Sequence, residues 1–209
     1  MNSFCKRTTD ILLSSLGLII LAPLLIVVSL VILMDGRGHV FYIQARVGRN
    51  NKDFRLIKFR TMKQRAEEEG LITIGKKDPR ITRFGAVLRK YKIDELPQLV
   101  NVLFGQMSLV GPRPEVRKYV DNFTLEQLQV LTVRPGITSL AAIRFANENA
   151  MLEGLPNPEE VYVMEILPKK LEINIEYLKR ANCFSDMYVI LLTFGQLFHG
   201  KDHSESTGS

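Results

Sequence analysis

The longest hydrophobic pattern lies near the start of the chain. From Ile11 to Met34, ILLSSLGLIILAPLLIVVSLVILM, 24 consecutive residues carry no charge; Lys6, Arg7 and Asp10 precede them, and Asp35 and Arg37 follow. The run predicts a membrane helix, since at about 1.5 Å per residue it reaches roughly 36 Å against a hydrocarbon core of about 30 Å. A signal peptide fits less well: its apolar region is about 7 to 15 residues and ends at an Ala-x-Ala-like site, which this run lacks, so the segment is expected to stay in the mature protein. Pro23 deletes a backbone donor near the middle and predicts a kink, with Ser14, Ser15 and Ser29 available to satisfy freed backbone groups. Such a helix either crosses the bilayer or turns back. Basic residues flank both ends: Lys6 and Arg7 before it, and nine Lys or Arg against the single acid Asp53 between positions 37 and 65. Because Lys and Arg concentrate on the cytoplasmic side, a re-entrant helix-break-helix over residues 1–36 fits better than a crossing.

Beyond the glycines at 36 and 38 the pattern changes period. VFYIQARVG and FRLIKFRTM alternate partly around the polar RNNKD, which predicts a β-hairpin over about 40–62. Residues 63–70 read as a short charged helix, and about Glu95 to Phe104 as a helix stopped by Gly105. SLVGPRPEV is a stiff loop, Thr124 to Thr132 a helix and RPGIT a second loop; helices then dominate, over about 157–180 and 184–198. The last of these, FSDMYVILLTFGQLF, is apolar over most of its circumference yet too short to span, so it lies in the membrane interface or fills the core. The expected architecture is α+β: a monotopic membrane protein with the re-entrant helix at 1–36, a cytoplasmic catalytic domain at 37–200 containing the hairpin and surface-lying amphipathic helices, and a polar tail at 201–209.

Composition narrows the class. With 209 residues, 46% hydrophobic and 24% charged, the chain can bury a core and is neither disordered nor a polytopic bundle. Its formal net charge of +6 suits anionic partners. Cys5 and Cys183 are far apart in sequence and lack CxxC spacing, which excludes a disulfide scaffold or cysteine-built zinc site and makes a reducing, cytosolic exposure the default.

Several motif-like stretches carry no chemistry. GLITIGKK has Lys77 where a phosphate loop needs a metal-binding hydroxyl, and Phe41 stands where a dinucleotide fingerprint starting at Gly36 needs its third glycine. His199 and His203 have i, i+4 spacing without a third ligand, and His39 lacks a nucleophile at suggestive spacing. LRKYKIDELPQ is more informative. Asp94 and Glu95 stand at an expected helix start among Arg89, Lys90 and Lys92, where unpaired N–H groups and cations suit a phosphate and should keep both acids ionised. Adjacent carboxylates point about 100° apart on a helix, so one can attack phosphorus while the other holds a divalent metal. The plain alternative is an N-cap aspartate followed by a first-turn glutamate. In Gly111-Pro112-Arg113-Pro114 the flanking prolines would present the Arg113 guanidinium in one direction, as bidentate phosphate recognition requires, unless the loop is only a surface turn. Lys58 and Arg60 in KFRTM and Arg134 in RPGIT add to an excess of cations that argues for an anionic ligand.

Taken together, KRTTDILLSS with its proline-interrupted helix, KFRTM, DPRITRFG, LRKYKIDELPQLVNVLFGQMSLVGPRPE, RPGIT and the Tyr177, Asp186 and Thr193 spacing resemble the bacterial sugar transferases. These are the small monotopic phosphoglycosyl transferases that start glycan assembly on a polyprenol phosphate, and the resemblance covers nearly the whole chain. It implies transfer of sugar 1-phosphate from a UDP-sugar to undecaprenyl phosphate or a similar lipid, with release of UMP, at the cytoplasmic face of the bacterial inner membrane. Asp94 matches the family's nucleophile, which forms a covalent aspartyl-phosphosugar in a ping-pong cycle, and Glu95 matches the acid that binds Mg2+. Arg89 and Arg113 match phosphate-binding positions, with Lys58 as a companion. Two departures are visible: Ala22-Pro23 where the family often has Ser-Pro, and Ile93 for a frequent leucine. A different class of reading is a basic, non-enzymatic membrane-associated binder, motivated by the net charge; no nucleic-acid motif accompanies it.

Overall fold

The computed structural model describes residues 3–35, 38–63 and 78–199. The expected charged helix at 63–70 falls beyond them from residue 64 onward, as do the GLITIGKK segment, His203 and the polar tail. The first element, α1 (Ser3–Met34), is a single helical run that continues through Pro23. Ser14 Oγ donates to Ile11 O and Ser29 Oγ to Leu25 O. Neither serves Ile19 O, the carbonyl that Pro23 leaves without its helical donor.

Only 11% of the helix's most apolar window is buried, so α1 is not the core helix of a soluble fold. Both of its ends nevertheless dock on the rest of the chain. Near the start, Arg7 donates to Val102 O and Leu103 O, and Asp10 Oδ1 accepts from Ser108 Oγ and Leu109 N. Near the end, Val28 and Ile32 pack with Phe59 and Leu88, and Arg60 donates to Ile32 O.

The hairpin forms as its alternation predicts: β1 (Phe41–Val47) pairs antiparallel with β2 (Asp53–Phe59), from Phe41 opposite Phe59 to Val47 opposite Asp53. RNNKD supplies the reversal, with Asn50 and Asn51 in the left-handed region that asparagine tolerates. Next comes α2 (Arg83–Lys90), capped by Thr82 Oγ1, which accepts from Gly85 N. Gly85 lies directly against the Thr61 backbone, where a Cβ would come within 2.1 Å of the Thr61 carbonyl oxygen. Only glycine permits that approach, and it sets α2 on the end of the hairpin.

A single 3₁₀ turn, Ile93–Glu95, precedes α3 (Gln98–Leu103). The expected helix over 95–104 is therefore shorter and starts later. Lys92 enters the turn at φ 56°, and Pro97, which has no N–H to donate, stands at its junction with α3. Buried Asn101 ties α3 to the hairpin: its Oδ1 accepts from Ile57 N, and its Nδ2 donates to Arg55 O and Gln106 Oε1.

Both proline loops contain strand. After β3 (Ser108–Val110), the short α4 (Arg117–Val120) and a 3₁₀ stretch at Gln127–Thr132, where a longer helix was expected, β4 (Gly136–Thr138) pairs parallel with β3. Glycine is required on both sides of this pairing, since a Cβ on Gly136 would fall 2.1 Å from Gly111 N. The short helices α5 (Leu140–Arg144), α6 (Glu148–Met151) and α7 (Pro158–Val161) follow. A π turn at Tyr162–Ile166 then leads into α8 (Leu167–Arg180). Pro168 accounts for the widened turn, because it cannot donate to the preceding turn and crowds its carbonyl. The main core gathers here, with Tyr119, Val130, Leu152, Tyr162, Ile166 and Leu171 among its members.

The last helix, α9 (Cys183–His199), divides its two faces. Asp186 and Val189 are buried, while Phe184, Met187, Tyr188, Leu191 and Phe194, at i, i+3, i+4, i+7 and i+10, stand exposed. It is thus packed along one side and apolar toward the outside, rather than a core helix.

Candidate active site

The acid pair sits where the hairpin, α2, the Ile93–Glu95 turn and the Gly111–Pro114 loop meet. Asp94 and Glu95 are both buried, at 8% and 9% exposure. They belong to the 3₁₀ turn and not to the first turn of α3, so no long helix N-terminus backs them. Cations from distant segments take that place. Lys58, on β2, brings Nζ to 2.9 Å from Glu95 Oε1, and Arg113 brings Nη2 to 2.8 Å from the same oxygen. The next basic residue, Arg60, lies just past the end of β2 and donates to Ile32 O at the end of α1. Arg89 approaches from α2 and donates to Thr61 Oγ1 at 2.8 Å.

The two carboxylates differ in partners. Glu95 is held by two cations, whereas Asp94 Oδ1 is buried without a hydrogen-bond partner, alone in this among the buried side-chain nitrogen and oxygen atoms of the described residues. Their acidities diverge accordingly. Burial, followed by the neighbouring Glu95 charge, pushes Asp94 above its ordinary value, against the pull of Lys58, Lys92 and Arg89. Burial also opposes the charge on Glu95, but Arg113, Lys58 and Lys92 outweigh it and hold the carboxyl well below the usual range. The cations near both acids therefore act unequally: the close ion pairs go to Glu95, while desolvation outweighs the pull of Lys58, Lys92 and Arg89 on Asp94. Burial lowers Lys58 and Arg89, while Glu95 raises Arg113.

The loop bearing Arg113 is clamped from behind. Arg46 donates to Pro114 O; Glu115 takes a hydrogen bond from Tyr162 and, through its carbonyl, one from Val47 N. Arg134 lies elsewhere, donating to Gly105 O, and serves the fold rather than the acid pair. Sequence reasoning brought Asp94, Glu95, Arg89, Arg113 and Lys58 forward, and the structure gathers all five. It missed Thr61, Asn101, Arg46 and Glu115. Asn101 left a signal, a lone amide inside the apolar run LVNVLF; the others become visible only through their partners.

An exposed apolar helix joined to an α+β domain, with a buried acid pair among Lys58, Arg89 and Arg113, is suited to polyanions handled at a lipid surface. The profile described as "Bacterial sugar transferase" matches residues 1–200, and the chain belongs to that family. It is 44% identical over 144 residues to the UDP-N-acetylgalactosamine-undecaprenyl-phosphate N-acetylgalactosaminephosphotransferase of Aeromonas hydrophila, covering 68% of this chain and 34% of that protein. It is 35% identical over 204 residues to the UDP-glucose:undecaprenyl-phosphate glucose-1-phosphate transferase of Klebsiella pneumoniae, covering 96% and 42%. The exopolysaccharide production protein ExoY of Rhizobium meliloti is 32% identical over 209 residues, covering 92% of this chain and 85% of its own. The chain thus spans well under half the length of the first two relatives and most of the third.

Proposed function

We propose that this protein transfers sugar 1-phosphate from a UDP-sugar to a polyprenyl phosphate such as undecaprenyl phosphate, releasing UMP and starting glycan assembly. The observation that carries the reading is the unpartnered, buried Asp94 Oδ1 beside a glutamate anchored by two cations. An oxygen without a hydrogen-bond partner is ready to form a bond to phosphorus. Asp94 attacks the phosphorus bearing the sugar, the bond to the UMP oxygen breaks, and an aspartyl-phosphosugar remains. An oxygen of the lipid phosphate then attacks that phosphorus, the carboxylate leaves, and a polyprenyl diphosphate sugar is formed. Arg113 and Arg89 neutralise the diphosphate as it approaches, and Lys58 keeps Glu95 ionised and in place.

The donor set suits Mg2+. Mg2+ typically binds through one or two carboxylates plus substrate phosphates, and no group of three or more His, Cys, Asp or Glu gathers among the described residues. Glu95 would hold the ion next to Asp94, and the ion would supply further neutralisation of the phosphate charge.

The membrane arrangement follows the same reading. α1 and the outer face of α9 rest in the cytoplasmic leaflet of the inner membrane, so a lipid-borne phosphate meets a water-borne nucleotide sugar at headgroup depth. Docking of both ends of α1 on one domain supports a re-entrant, monotopic helix, because a rod crossing the bilayer would carry one end to the opposite side. A cysteine placed at position 2 in a Cys5→Ser, Cys183→Ser background should resist periplasmic labelling, and labelling there would overturn the topology.

Radiolabelled UDP-sugar with undecaprenyl phosphate tests the activity. The wild type should release UMP and Asp94→Asn should not, whereas a non-enzymatic binder would show no turnover in either form. Without lipid acceptor, the labelled phosphosugar should be trapped on Asp94; its repeated absence during competent turnover would favour direct transfer in a ternary complex. A UMP-release screen across UDP-sugars identifies the donor.

A further inference from the structure

Away from the acid pair, the fold brings together the chain's only two cysteines. Cys5 lies at the start of α1 and Cys183 opens α9; 178 positions apart in sequence, their Sγ atoms are 2.9 Å apart. We propose that Cys5 and Cys183 form an oxidant-reactive dithiol that closes to an intramolecular disulfide, fastening the beginning of the membrane helix to α9.

Three observations support it. The site is accessible, since Cys5 is exposed and Cys183 is half-buried. The contact is also held by its neighbours: Lys6 Nζ lies 2.5 Å from Asp186 Oδ2, and Tyr177 OH donates to Asp186 Oδ1 at 2.6 Å. Lys6 adjoins Cys5, and Asp186 lies one turn beyond Cys183, so the ion pair presents the two thiols to each other. Lys6 also donates to Val110 O, which anchors the same helix end to β3. Finally, the thiol contact pushes Cys183 up, which leaves the more exposed Cys5 as the sulfur that meets an oxidant first.

The co-reactant is a small disulfide such as oxidised glutathione. Cys5 thiolate attacks one of its sulfurs, the sulfur–sulfur bond breaks, and one glutathione thiolate leaves. Cys183 gives up its proton, its sulfur attacks Cys5 Sγ in the mixed disulfide, and the second glutathione leaves. Two protein thiols and one glutathione disulfide thus become one protein disulfide and two glutathiones. In a reducing compartment the pair stays open. Closure joins positions 178 apart in sequence, and the longer the closed loop the more a crosslink constrains the unfolded state.

The test uses the full chain in detergent micelles or bilayer discs, equilibrated across ratios of reduced to oxidised glutathione. Maleimide-reactive thiols, counted after denaturation, should fall from two per chain to none, with faster migration on non-reducing gels and reversal by dithiothreitol. The thermal unfolding midpoint should rise on oxidation. Cys5→Ser and Cys183→Ser should each lose the fast-migrating form and end as a single glutathione adduct. Two adducts per wild-type chain, chains crosslinked in pairs, or unreacted thiols under conditions that oxidise a reference dithiol would each overturn the proposal. No readout involves turnover, so failure here is distinct from failure of the transferase reading.

Discussion

The polar cluster where α1 meets β3 and the one at the Ile93–Glu95 turn are satisfied differently. At the α1 junction the charged groups have protein partners: Asp10 takes Ser108 and Leu109, Lys6 takes Val110 and Asp186, and Arg7 takes two carbonyls of α3. At the turn, Glu95 has two cations while Asp94 Oδ1 has no partner. A buried polar atom without a hydrogen bond costs about 1–3 kcal/mol and is rare in folded proteins. The junction holds elements together, while the unpartnered oxygen at the turn is the one that the proposed mechanism bonds to phosphorus.

Removing the unpartnered oxygen should give the largest effect. Asp94→Asn is expected to lower UMP release by about 10⁴-fold or more, with the unfolding midpoint kept or raised because a desolvated acid is gone. Near-normal turnover by this variant would erase the distinction between the clusters. Next comes Glu95→Ala, which strands Lys58 and Arg113 and should destabilise the fold by about 3–5 kcal/mol, read by thermal or chemical unfolding. Arg113→Ala should lower kcat/KM by about 10²- to 10³-fold, and Arg113→Lys should recover only part, since a point charge replaces a planar fork.

At the junction the pattern should invert. Asp10→Ala is expected to lose about 1–3 kcal/mol of stability while turnover per folded molecule stays within a few-fold. The pH profile gives the finest comparison. On the proposed mechanism Asp94 attacks only when ionised, and its raised pKa puts the acidic limb of kcat/KM above the ordinary aspartate value of 3.8; activity is lost as pH falls through that limb. Glu95 behaves oppositely: its depressed value means that its stabilising contribution is present above the ordinary 4.5 and is lost only as pH falls through the lower folded value. A kinetic limb at or below 3.8 would show that Asp94 is not the desolvated partner.

The parts of the fold that were legible depend on neighbours in sequence. The hairpin follows from alternating residues around an asparagine-rich reversal, and α8 and α9 from their helical periodicity. The acid pair was placed at the start of a helix because Asp-Glu before an apolar run is the usual N-terminal signal. Lys92 in the left-handed region and Pro97 beside α3 move it into a separate turn. The two proline loops gave no sign of being strands, because β3 and β4 satisfy each other only across a close approach that needs Gly111 and Gly136 together.

What was set along the chain itself is the inventory: an uncharged helix long enough for a membrane, an adjacent acid pair, and basic motifs capable of meeting phosphate. Only packing decided how these are shared. Lys58, 37 positions from Glu95, and Arg113, 18 positions away, converge on one carboxylate oxygen, leaving Asp94 buried without a hydrogen bond. The same holds for two cysteines that look unrelated in sequence and touch in space. Helical and strand patterns are local, but desolvation and charge pairing depend on distances between elements, and those distances exist only once the elements have packed.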